Sequence, residues 1–107
     1  MAAETGREVV GEGVTRQVLG HVPDLMVVRV DFAEGACGAL HHHPHRQVSY
    51  ICAGTFAVTV GPDERTLAVG DCFVAAANVP HAVRALEAGT ILDVFTPARA
   101  EFLGAVR

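Results

Sequence analysis

The sequence predicts an all-β sandwich or barrel, and three observations carry that prediction. Short β-rich runs recur along the chain, divided by Gly, Pro and Asp turn signals. Where a run is long enough to judge, its side chains alternate between two faces. In Leu25–Phe32, Met26, Val28, Val30 and Phe32 take one face, and Val27, Arg29 and Asp31 the other. No segment before Pro97 sustains a helical period.

The runs follow in order. Val14–Gly20 stops at the break His21-Val22-Pro23-Asp24, and Leu25–Phe32 follows. Gly35 and Gly38 loosen the chain before Ala39–His43. Gln47–Ala53 turns at Gly54 into Thr55–Val60, and Gly61-Pro62-Asp63-Glu64 reads as a hairpin turn into Arg65–Val69. Cys72–Ala76, Ala82–Leu86 and Thr90–Thr96 complete the set. A short terminal helix is expected over 98–106, with Phe102, Leu103 and Val106 as its apolar face and Pro97 in its first turn. The 107 residues make one domain, 1–107, with no linker or low-complexity tract.

Half of the residues are hydrophobic and 19% are charged, a globular composition. A net charge of −4 and the lack of any Lys exclude a basic stripe of the kind nucleic acid requires. An anionic ligand would have to be met locally, by a metal or by one or two Arg. Cys37, Cys52 and Cys72 share no close spacing and read as small buried hydrophobes of a reducing compartment. The N-terminus lacks an apolar signal-like stretch and no run reaches membrane-spanning length, so a cytoplasmic location is expected.

Five histidines fall between positions 41 and 81: His41, His42, His43, His45 and His81. On a strand, His41 and His43 point the same way, about 6.6 Å apart along the chain. Such a spacing suits two imidazoles converging on one ion at about 2.1 Å. Gln47 shares their parity although Pro44 interrupts the strand, and His81 would arrive from a neighbouring strand. Read singly, each could be a solvated or hydrogen-bonded side chain. His45 could support the site, stand in as a ligand or lie exposed, and His42 has the opposite parity.

Thr90–Thr96 carries Asp93 on an otherwise apolar strand. A buried carboxylate must be paired, wet or shifted in pKa, so Asp93 is either a structural ion-pair partner or a general acid or base. Phe95 is either core packing or an apolar wall for a sugar ring. Arg99 is either a solvated charge or a carboxylate clamp.

The run Gly35-(five)-His41-x-His43-(three)-Gln47-(six)-Gly54, with Gly70-Asp71-(nine)-His81, resembles the two motifs of the cupin superfamily. These occupy about 35–54 and 70–85. The resemblance implies a double-stranded β-helix, a jelly-roll barrel, around one divalent transition metal ion (Zn, Ni, Fe, Co or Mn). Gln47 stands where the general cupin has Glu, and the second motif's usual Pro, Gly and Asn positions hold Ala76, Asn78 and Ala85. A neutral amide ligand leaves the ion its full charge, which favours polarising oxygen atoms over activating dioxygen at iron.

Three segments are similar to the small KdgF-type cupins of pectin and alginate breakdown: His41-His42-His43-Pro44-His45-Arg46-Gln47, Asn78-Val79-Pro80-His81, and Leu92-Asp93-Val94-Phe95-Thr96-Pro97-Ala98-Arg99 through Phe102-Leu103. That resemblance implies ring opening of 4,5-unsaturated monouronates, a small anionic sugar acid as substrate, and a homodimer. It further implies that His41, His43, Gln47 and His81 bind the metal while Asp93, Phe95 and Arg99 serve the substrate. Two other readings stay open: a small iron dioxygenase on the same fold, and a non-enzymatic cupin that binds a sugar or metal.

Overall fold

The computed structural model describes residues 4–103. Ten strands build two antiparallel sheets of a jelly roll. They are β1 (Glu8–Gly11), β2 (Val14–Val22), β3 (Leu25–Phe32), β4 (Cys37–His41) and β5 (Arg46–Ala53), then β6 (Thr55–Val60), β7 (Asp63–Ala68), β8 (Cys72–Ala75), β9 (His81–Ala85) and β10 (Gly89–Thr96). The larger sheet runs β1-β2-β3-β10-β5-β8 and the smaller β4-β9-β6-β7.

Alternation builds the core. In β5, Gln47, Ser49 and Ile51 are buried while Arg46, Val48 and Tyr50 are exposed. Phe32, Ile51, Phe73 and Ile91 of the larger sheet pack with Phe56, Val58 and Ala85 of the smaller. A second cluster, Val18, Met26, Val28 and Phe95, lies at the other end of the larger sheet, where Ala98, Phe102 and Leu103 cover it. Left-handed backbone accounts for the glycine at two of the turns. Gly61 (φ 55°) leads the two-residue link at Gly61-Pro62, which sets Val60 opposite Asp63. Gly54 (φ 82°) sits where a Cβ would come 2.6 Å from the Ala88 carbonyl.

Strand ends shift, with β2 running on to Val22 and β7 starting at Asp63 inside the expected turn, and the structure departs from the sequence expectations more deeply in four places. β1 had no alternating signal, because all four of its residues are exposed and only pairing with β2 makes it a strand. β4 ends at His41, so His43 lies in the irregular link to β5. Pro44 has no N–H for a ladder and restricts the residue before it. All three cysteines are free and exposed, on outward positions rather than in the core. The expected helix over 98–106 is a 3-10 turn at Ala100–Leu103, with the Phe102 N–H donating to the Arg99 carbonyl; Val106 lies outside the described residues. Among the described residues, no helix is long and apolar enough to cross a membrane.

Candidate metal centre and active site

Strand pairing brings the separated histidines together. His41 ends β4, His81 opens β9, and the two are register partners. His43 reaches the same place from the β4–β5 link, which is tied down by the Asn78 N–H donating to the His43 carbonyl at 2.7 Å. One ring nitrogen from each of His41, His43 and His81 lies within 4.8 Å of the others. That spacing is on the scale of the ~4 Å that two metal–nitrogen bonds of about 2.1 Å span.

Each imidazole is oriented by a backbone carbonyl. His41 Nδ1 is 2.7 Å from the Ala39 oxygen, His43 Nδ1 2.9 Å from that of His45, and His81 Nδ1 2.9 Å from that of Val79. A carbonyl oxygen only accepts, so Nδ1 carries the proton and Nε2 of each neutral ring is left as a lone pair. His81 Nε2 is buried and has no hydrogen-bond partner. His43 Nε2 faces Gln47 Oε1, another acceptor, at 3.0 Å.

Protonating His43 would relieve that clash of lone pairs, but burial, and then the Arg99 charge, push its pKa below the usual histidine value. Burial lowers His81 as well. A cation between the lone pairs satisfies His43, His81 and Gln47 together, and imidazole and amide oxygen are ordinary ligands for a divalent transition metal. The residues fit such an ion.

Gln47 keeps its oxygen toward His43 because its nitrogen is engaged elsewhere. Nε2 donates to Ser49 Oγ at 2.8 Å and to Asp93 Oδ1 at 3.3 Å. Ser49 Oγ in turn donates to Asp93 Oδ1 at 2.6 Å. Desolvation pushes the Asp93 carboxyl up to about 6, against the lowering effect of the Ser49 and Gln47 hydrogen bonds and the Arg99 charge. A bound dication would pull it back down.

His41, Gln47, His81, Asp93, Phe95 and Arg99 all line one cavity of about 160 Å³. Phe95 is both wall and core: it is buried, and its ring meets those of His43 and Phe102 edge-on, each at 5.7 Å. Arg99 is mostly buried, pairs with Glu101 at 3.0 Å, and sits 4.2 Å from the centre of the Phe102 ring. His42 is exposed; His45 is half-buried with Nδ1 lacking a partner. Sequence reasoning passed over two residues. Ser49 is a fully buried polar side chain at an inward position of β5, a detectable irregularity in an apolar stripe. Arg16 lines the same cavity, 3.8 Å from the Phe102 ring and held by Glu8 at 2.7 Å. Its register partner in β3 is Val30, whose parity marks the inner face.

Comparison with known proteins gives the family. The cupin domain family matches residues 28–95. The pectin degradation protein KdgF of Dickeya dadantii (strain 3937) is 43% identical over 102 residues, covering 94% of this chain and 93% of that protein. The structure of KdgF from Halomonas sp. superposes with a TM-score of 0.88 at 38% identity, covering 92% of this chain and 94% of that one. An RmlC-like cupin from Shewanella frigidimarina NCIMB 400 also gives 0.88, at 40% identity over 92% of this chain and 88% of that one. The chain therefore belongs to the cupin superfamily and, within it, to the small cupins of the KdgF type.

Proposed function

We propose that this protein is a metal-dependent enzyme that opens the ring of 4,5-unsaturated monouronates formed in pectin or alginate breakdown. The ion would be held by His41, His43, Gln47 and His81. The reading is supported by the likeness to a protein named for pectin degradation. The observation that carries it is that His41, Gln47 and His81 share one cavity with Asp93 and Arg99, while His43 completes the three-histidine cluster with His41 and His81.

The substrate is a cyclic enol ether and a hemiacetal at once. A divalent ion with neutral ligands supplies electrostatic stabilisation for negative charge developing on oxygen. Asp93, as carboxylate, takes the proton of the C1 hydroxyl while the C1–O5 bond breaks, leaving an aldehyde at C1 and an enolate over O5, C5 and C4. Asp93 then returns the proton to C4, giving the 5-keto product with no net gain or loss of atoms. Asp93 serves as base in the first step and as acid in the second, held in place by the hydrogen bonds from Ser49 and Gln47. Arg99 matches the uronate carboxylate with a two-pronged guanidinium, and Phe95 offers an apolar face to the ring.

The homodimer and cytoplasmic location expected from the sequence belong to the same reading. Val48, Tyr50 and Val74, exposed together on the outer face of the larger sheet, suit a second copy. Sedimentation would read the mass.

Incubation of the metal-loaded protein with a lyase-generated unsaturated monouronate tests the activity. The enol absorbance should fall at a rate proportional to enzyme and depend on metal. An unchanged absorbance beside a functional positive-control enzyme would refute ring opening, and oxygen uptake with a phenolic or thiol substrate would point to a dioxygenase instead.

A further inference from the structure

Gln47, Ser49 and Asp93 form one hydrogen-bonded unit on the inner face of β5 and β10. Ser49 is its middle member and is fully buried. It is the register partner of Asp93 on one side and of Phe73 on the other, so its Cα is fixed from both directions in the sheet.

The directions of these bonds are forced. A hydroxyl has one proton to donate, and an ionised carboxylate has none. Ser49 Oγ therefore gives its proton to Asp93 Oδ1 and accepts one from Gln47 Nε2. Turning the Gln47 amide over would set its oxygen against the Asp93 carboxylate and leave Ser49 one proton for two acceptors. It would also aim an N–H at the histidine cluster, where a cation belongs.

We propose that Ser49 is a positioning residue that sets two groups at once, locking the Gln47 oxygen toward the metal cluster and holding Asp93 by Oδ1 so that Oδ2 performs proton transfer. The proposal rests on the ligand set and the role of Asp93 given above. It also accounts for an amide at position 47. A Glu there would have no N–H for Ser49 and would bring a second negative charge to within about the 3.3 Å that now separates Gln47 Nε2 from Asp93 Oδ1. Burying a hydroxyl among apolar neighbours is unfavourable unless it is paired, and Ser49 is paired as both donor and acceptor.

Ser49→Ala and Ser49→Thr separate positioning from mere packing. Nickel(II) is titrated calorimetrically into each metal-stripped protein, and kcat and KM for the unsaturated uronate are measured separately. Ser49→Ala should weaken nickel binding on the order of 10–100-fold, as loss of an outer hydrogen-bond partner does. It should lower kcat to a similar degree with KM little changed, and Ser49→Thr, which restores the hydroxyl, should recover most of both. Nickel affinity and kcat both unchanged in Ser49→Ala would overturn the proposal. So would losses that Ser49→Thr does not recover while its melting temperature stays at the unaltered value.

A further measurement needs no variant. In the unaltered protein, the Gln47 side-chain amide protons should exchange with deuterium far more slowly than free glutamine, and free-glutamine-like exchange would sink the idea. The nickel and exchange readouts require no substrate, so they stand even if the uronate is not turned over.

Discussion

His41 and His81 sit opposite each other across β4 and β9, with ring centroids 4.4 Å apart. They belong to the smaller sheet, whereas Gln47 lies on β5 of the larger one. An ion shared among them would join the two sheets directly, so metal binding and folding should be coupled in this protein.

That coupling predicts two effects of removing one imidazole. His81→Ala should weaken metal binding by more than the roughly 10–100-fold typical of an outer-partner loss. It should also abolish most of the stabilisation that metal confers, which for a site at 100 times its Kd amounts to about 2.7 kcal/mol. Metal analysis of the purified variant and its melting temperature with and without added ion read both effects. An undiminished metal load would mean that residue 81 is not a ligand.

Asp93→Asn keeps a similar shape but removes the carboxylate that would move the proton. Metal content should persist, while ring opening falls by about 10²–10⁴-fold, the usual scale for a general acid or base. Full activity would remove Asp93 from the mechanism.

Gln47→Glu tests the contact between positions 47 and 93 from the other side. Two adjacent carboxylates repel and would share a proton in the metal-free site, so activity should fall, and Asp93→Asn should change nickel affinity by a different amount in the Gln47→Glu background than in the unaltered protein. The coupling from a double-mutant cycle on nickel affinity should differ from zero by about 0.5–3 kcal/mol. Strict additivity would mean that the two side chains do not communicate.

Asp31 predicts an acid-sensitive contribution far from the site. Burial alone would raise its carboxyl, but hydrogen bonds from Arg29 and Thr90 and the charges of Arg29 and Arg7 outweigh it and hold it below the usual range. A depressed carboxyl stabilises the fold fully above the unfolded pKa of about 3.9, and that stabilisation is lost as pH falls through the lower folded value. The pairs are partly exposed, so Asp31→Asn should cost only about 0.5–1 kcal/mol at pH 7. Urea titrations should show the difference shrinking as the pH drops below about 4.

Gly89→Ala should be the most damaging of these changes to the fold. A Cβ there would run into the Ala53 carbonyl oxygen and come 2.9 Å from the Phe56 ring. The backbone of β5 cannot yield without opening its pairing with β10, so a loss of about 3 kcal/mol or more is expected. A melting temperature equal to the unaltered protein's would show that the strands relax.

The strands and their faces were legible in the sequence because alternation is a local property of the backbone. Leu25–Phe32 and Thr55–Val60 fall where their patterns put them, and Asp93 lies on an inner face as its neighbours Ile91 and Phe95 require. The histidine spacing likewise announced a cluster. Nothing local, however, could bring residue 41 opposite residue 81, direct Arg16 to the cavity, make a strand of Glu8–Gly11 or turn the cysteines outward. Nor could it link Ser49 to Asp93, forty-four positions away. Those relations depend on register between distant segments, which only the closed pair of sheets decides, through hairpin turns, bulges and packing acting together.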